Sequence, residues 1–333
     1  HSLQSQQMST SERLAGYAGY RVFAPSRLLF RGMVRATSTP LDPEVGNVAE
    51  VTVEDLAGTY KGKRAMLVGG SRGIGAAIKE TLVRAGAHVT IVARSAAGEN
   101  GIAAHLDTVA GCRKFIAEAS AAGVAPYDYL VFTVGAWPDF SDPFTADGVD
   151  KVVALDLLAR HLVLEGLAKA GLLNQGGRVL NVLASAQNVP RLTEEGLKAR
   201  VTCSDGPPRT LPYSLLPLSV AADAWLQDAA ARHPSLTFIG TFPGILPTEL
   251  PNNTFPAWML PLLTMAMLPV ASSHEDVGLA HAAVLASANA GRRRASYFNA
   301  ATLEGRLAHP LAYKTDVGRW ITAHMDEVSA KAE

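Results

Sequence analysis

The segment Gly69-Gly70-Ser71-Arg72-Gly73-Ile74-Gly75 constrains this chain most, because of what stands on either side of it. Residues 64–70 form a short apolar run bounded by a basic residue and two glycines, the pattern of a strand buried on both faces of a parallel sheet. Residues 76–85 then read as a helix, and after Gly86 the run 88–93 reads as a second buried strand. The order is strand, glycine turn, helix, strand. Glycines let the backbone approach a ligand closely, and a helix N-terminus offers free N–H groups and partial positive charge. A pyrophosphate is the group such a turn suits.

Later runs extend the pattern. Residues 128–134, 178–184 and 236–242 read as further buried strands, and residues 149–170 and 213–231 carry apolar residues at helical spacing. The expected fold class is α/β: a Rossmann-type doubly wound parallel sheet with helices on both faces. A single domain over 59–333 is expected, preceded by an N-terminal arm and linker over 1–58. With 48% apolar and 18% charged residues, one large core is within reach.

The glycine segment resembles the fingerprint T-G-x-x-x-G-I-G of the short-chain dehydrogenase/reductase family, with Val68 in place of the threonine. The resemblance runs from about residue 60 to 300. It implies an NAD(P)-dependent oxidoreductase and assigns cofactor contacts to Gly69, Ser71, Arg72, Gly73, Ile74 and Gly75. At the end of the second strand an acid would hold the 2′-hydroxyl of NAD, and a cation would pair with the 2′-phosphate of NADP. Ala93-Arg94-Ser95 has no acid there, and Arg72 adds a second cation, so NADP(H) is the expected cofactor. The acid of the adenine pocket is Asp107 or has become His105.

Further landmarks follow in family order. Thr133-Val134-Gly135-Ala136 falls where the family has N-N-A-G, keeping Gly135 as a cofactor contact. Pro243-Gly244-Ile245-Leu246-Pro247-Thr248 resembles the P-G-x-x-x-T loop, which assigns Pro243, Gly244 and Thr248 to the nicotinamide side. The proton-transfer residues depart from the pattern. Asp156 stands where a helix normally contributes asparagine, Ala184 stands at the serine position with Ser185 one place late, and Tyr213 begins Y-x-x-x-K with Pro217 for lysine. Proline supplies neither charge nor a backbone donor, so Tyr213 keeps a phenol pKa of about 10 and makes a poor base at neutral pH. Two functions stay open: a reductase of an apolar carbonyl with Tyr213, Ser185 and Asp156 as its catalytic residues, or a structural or nucleotide-sensing subunit of a larger assembly.

Residues 255–272 lie where the family places its substrate-covering lid. Pro256, Pro261 and Pro269 break this apolar run well short of the roughly 20 residues a membrane span requires. It is expected to line an apolar substrate pocket, to lie against a membrane surface, or to pack on another subunit, whether a second copy or a member of a larger complex. Residues 1–40 hold five spaced arginines, no lysine and one acid, Glu12, which resembles a mitochondrial or plastid targeting region; a solvated basic tail of a cytoplasmic protein is the alternative. Residues 37–59 turn acidic and contain Pro40, Pro43 and Gly46, the composition of a linker.

Charge and cysteine content narrow the classes. Lys+Arg and Asp+Glu both total 30, which gives no net attraction for nucleic acid. The run Arg292-Arg293-Arg294 reads as cations against a helix C-terminus. Cys112 and Cys203 have neither metal nor disulfide-framework spacing, and the histidines show no metal motif.

Overall fold

The computed structural model describes residues 37–96, 100–207, 210–244, 251, 254–267 and 271–332. The arginine-spaced arm up to residue 36 and Thr248 lie outside them. The strands are β1 (Arg64–Val68), β2 (His88–Ala93), β3 (Gly101–Ala103), β4 (Tyr127–Phe132), β5 (Leu173–Val182), β6 (Thr237–Phe242), β7 (Ala295–Asn299) and β8 (Glu304–Arg306). Among the described residues they form one sheet in the order β3-β2-β1-β4-β5-β6-β7-β8. All neighbours run parallel except β8, which returns antiparallel to β7. This is the Rossmann-type sheet the sequence implies.

The helices are α1 (Val53–Tyr60), α2 (Gly73–Arg84), α3 (Val109–Ala121), α4 (Lys151–Val153), α5 (Ala159–Lys169), α6 (Glu194–Thr202), α7 (Leu211–Arg232), α8 (Leu260–Met267), α9 (His274–Ala286) and α10 (Thr315–Lys331). A π-helical turn, Ala154–Leu158, joins α4 to α5. Because strand side chains alternate, each central strand feeds two cores. Met66, Leu130, Phe132 and Phe238 meet Phe115 of α3, Leu164 of α5 and Trp225 of α7 on one face. Leu67, Val131, Leu180 and Ile239 meet Ile78 of α2 and Leu285 of α9 on the other.

Two elements differ from expectation. Strand β5 starts at Leu173 rather than Arg178, since a register shift against β4 lets both Leu173 and Arg178 pair with Tyr127 and Tyr129. Helix α7 runs through Pro217, which is buried inside it. The missing N–H leaves the carbonyl of Tyr213, four residues earlier, without its helical donor.

Residues 37–59, read as linker, are docked on the domain. Thr39 N–H donates to Ala186 O at 3.0 Å and Asp42 N–H to Gly305 O at 2.9 Å, while Leu41 and Asn47 bridge to Arg306 and Glu304 of β8. The acids that suggested a loop have structural work. Asp55 closes a capping box with Thr52 at the start of α1, and Tyr60 is fully buried with its hydroxyl donating to Ala282 O at 2.6 Å. Asp42, 2% exposed, accepts from Glu44 N–H at 2.9 Å and from Arg293 Nη2 at 3.0 Å. The arginine run follows a short 3-10 helix, Ala288–Gly291, with Arg292 as its C-cap, and it also clasps this strap: Arg293 lies 2.9 Å from Glu44 Oε2 and Arg292 donates to Glu44 O at 3.1 Å.

Removing Arg293 strands a buried carboxylate. Arg293→Ala is expected to lower unfolding free energy by about 1–3 kcal/mol, seen as a lower urea midpoint at unchanged slope.

Candidate functional site: a nucleotide cleft at the strand switch point

The strand order reverses between β1 and β4, and at the carboxyl ends of these strands lies a cleft of about 880 Å³. Open α/β sheets bind ligands at this position. Gly69, Ser71, Arg72, Gly73, Ile74 and Gly75 form one wall; Arg94 lies across the end of β2, and Gly135 beyond β4. Eight residues expected to hold the cofactor are thus brought together. Asp107 also lines the cleft, whereas His105 is exposed and not among the lining residues.

The wall's geometry needs its glycines. Gly69 has φ +101°, and a Cβ there would stand 2.4 Å from Val134 N; a Cβ on Gly75 would stand 2.5 Å from Gly69 O. Helix α2 begins without a side-chain hydrogen bond at its N-cap, so its first N–H groups are left to an incoming anion. This chemistry fits the pyrophosphate of a dinucleotide.

Trp137, Asp139 and Lys151 close the far end of the cleft. Lys151 Nζ lies 2.6 Å from Asp142 Oδ2 and 3.4 Å from Asp139 Oδ2. The Ser141 hydroxyl, followed by the Asp142 N–H, holds the Asp139 carboxyl down to about 2. Sequence reasoning missed these residues because Trp137 and Asp139 sit in a loop, and Lys151 at the start of α4, outside the family's motifs. Trp137 meets Phe255 edge-on at 6.5 Å between ring centres, and Thr254 Oγ1 donates to Pro138 O at 2.8 Å, so the described part of the lid segment is fastened to the cleft's rim. Beyond that fastening Trp258, Leu262 and Met265 are 71%, 62% and 63% exposed.

The expected catalytic residues are placed separately. Asp156 lies just beneath the cleft, 3% exposed, in the π-helical turn, a device common at functional sites. Burial pushes its carboxyl up to about 7, against the opposing charge of Arg160 and the Ala136 N–H. Ser185 is 1% exposed, and its hydroxyl would be 2.8 Å from a Cβ on Gly240, which sets it over β6 inside the core. Beside it Asp223 of α7, also 1% exposed, accepts from Ala186 N–H at 2.9 Å. Burial pushes Asp223 up to about 7, opposed by that N–H and by the Ser185 hydroxyl. Tyr213 is half-buried at the start of α7 and donates to Asp205 Oδ2. Burial, and then the Asp205 carboxylate, push the phenol up to about 12. Neither Ser185 nor Tyr213 lines the cleft. Pro243 lines a separate cavity of about 240 Å³ with Val51, Ala280 and Ala301, and Gly244 turns the chain beside it with φ +80°.

Asp223 and Arg160 also escaped the sequence reading. For Asp223 the signal was present: it is the one charged residue between Leu211 and Gln227 in an otherwise apolar helical stretch. Among the described residues no cluster of metal-ligating side chains occurs and no helix is long and apolar enough to cross a membrane.

Residues 63–194 match the family model for short chain dehydrogenase. An uncharacterized oxidoreductase of Saccharomyces cerevisiae is 25% identical over 203 residues, which are 56% of this chain and 62% of that protein, so the match spans less than two thirds of the relative's length. A short chain dehydrogenase from Salmonella enterica serovar Typhi superposes with a TM-score of 0.53 at 16% identity, covering 74% of this chain and 98% of that one. An uncharacterized protein from Mycobacterium paratuberculosis gives 0.52 at 16% identity, covering 82% and 97%. These two likenesses speak for the fold. Across residues 63–194 the chain is similar to the short-chain dehydrogenases, and over the sheet as a whole it shares their fold.

The raised Asp223 carboxyl has a signed consequence. Between its unfolded value near 4 and about 7 the folded state keeps a proton that the unfolded state releases, so this contribution to stability is lost as pH rises through 7. Thermal unfolding is expected at a lower temperature at pH 8 than at pH 5.5, with a smaller difference in Asp223→Asn.

Proposed function

We propose that this chain binds NADP(H) in the switch-point cleft and acts as an oxidoreductase on an apolar carbonyl or alcohol. The observation that carries the reading is the uncapped start of α2 in a glycine turn, with Arg72 and Arg94 on the lining and no acid at the end of β2. The helix N-terminus holds the pyrophosphate, and a guanidinium at the end of β2 selects the 2′-phosphate over a bare 2′-hydroxyl. The bound cofactor supplies or accepts hydride. Trp137 of the lining and Phe255, edge-on to it, put an apolar surface at the rim, which favours a substrate with an apolar part.

A second reading has its own support. The phenol of Tyr213 is bound to Asp205, and Pro217 stands where the family's lysine would draw its pKa down. A group pushed up to about 12 is a poor proton donor or acceptor at neutral pH. The catalytic set is in this sense atypical, and it suits a nucleotide-binding subunit that turns over slowly or not at all. The exposed Trp258, Leu262 and Met265 would then face a partner. An organellar address in the N-terminal arm belongs to the same proposal.

Fluorescence titration tests the shared premise. NADPH is expected to bind more tightly than NADH, and Arg94→Ala to weaken NADPH by about 10- to 150-fold, the worth of a charged hydrogen bond, while leaving NADH unchanged. Binding of neither cofactor overturns both readings. Where NADPH binds, turnover of apolar aldehydes and ketones that is lost in Tyr213→Phe supports the enzyme, and binding without turnover supports the subunit.

A further inference from the structure

Arg160, on α5, is 1% exposed and one turn past Asp156. Its guanidinium reaches two strand ends at once. Nη2 donates to the carbonyl of Val134, just beyond β4, while Nη1 donates to Asn181 Oδ1 and, at 3.1 Å, to the carbonyl of Val182 at the end of β5. Val134 also donates to Val68 O at 2.8 Å and is the residue against which Gly69 closes. The segment from Val134 to Trp137 lines the cleft. From beneath, Asp156 Oδ1 would stand 2.7 Å from a Cβ on Gly135, and its carboxyl takes the Ala136 N–H. The other charged groups facing Asp156 are Asp150, at the N-cap of α4, and Arg200 of α6, themselves paired at 3.0 Å.

We propose that Arg160 is the positioning residue of the cofactor cleft, holding the segment from Val134 to Trp137 against the end of β5 in the place a bound nucleotide requires. The inference rests on the nucleotide reading of the cleft. A buried guanidinium is costly unless acceptors meet it in its plane, and a planar fork bonding in two directions fixes both partners in a way a lysine ammonium does not. Arg160 therefore has a role beyond balancing Asp156: it carries the geometry of a backbone carbonyl on the rim.

The two roles separate in a variant set. Arg160→Met alone leaves the Asp156 carboxylate without its counter-charge, and its melting temperature is expected to fall. The double variant Asp156→Asn/Arg160→Met removes both charges and is expected to recover much of that loss, yet to bind NADPH about 2- to 30-fold more weakly than the wild type. Hydrogen exchange of the amides of residues 134–137, measured without ligand, is expected to quicken in the double variant and in Arg160→Lys but not in Asp156→Asn. Wild-type affinity and exchange in the double variant would overturn the proposal, leaving Arg160 as a counter-charge only. If the wild type binds neither NADPH nor NADH, the nucleotide reading falls and exchange decides alone. Unchanged protection in the double variant then overturns the positioning role, and quickened exchange upholds it.

Discussion

The contact between Gly69 and Val134 is the constraint on which the cleft depends. With no Cβ, Gly69 lets the turn out of β1 close against the backbone leaving β4, and that closeness aims the start of α2 across the switch point. Val134 is held on three sides: by the glycine, by Val68 O through its N–H, and by Arg160 through its carbonyl. The ends of β1, β4 and β5 thus form one bonded row. A helix N-terminus has electrostatic value only where its N–H groups converge on a defined spot, and this row defines it.

Charge is scarce in this chain, and several of its charged side chains are inside. The pairs Asp156 with Arg160 and Asp150 with Arg200 lie below the cleft, and Asp223 lies on the buried face of α7. Buried charges seldom add net stability, but they tie a structure to one arrangement because every alternative leaves a group unsatisfied. The buried Asp156 carboxyl faces the opposite charge of Arg160, one turn along.

The strap before α1 makes a comparable exchange at the far edge of the sheet. β8 would otherwise present unpaired backbone groups; bridges from Leu41 and Asn47 meet them, and Asp42 clasped by Arg293 holds the strap down. The strap also reaches Ala186 through Thr39, so the loop after β5 and the outer edge of the sheet are fastened by one stretch of chain.

Local pattern was enough for the sheet and for the glycine wall of the cleft. An apolar run, a glycine turn and a helical period are properties of neighbouring residues, so β2 falls on residues 88–93 as read, and Gly69, Ser71, Arg72, Gly73, Ile74 and Gly75 line the cleft with Arg94 and Gly135. The start of β5 was not legible, because the register shift that admits Leu173 depends on its partner β4. Nor was the setting of the catalytic candidates. Whether Ser185 faces the cleft or the core depends on Gly240 and Asp223, and whether Tyr213 can exchange a proton depends on Asp205. Asp42 and Glu44 read as linker because their partner Arg293 lies some 250 positions away. The sequence by itself determined the glycine turn and the cleft wall it forms, since these are built from consecutive backbone. Only the tertiary structure decided which side chains hold the rim and which carboxyls are deprived of water, since those depend on residues that the fold alone brings together.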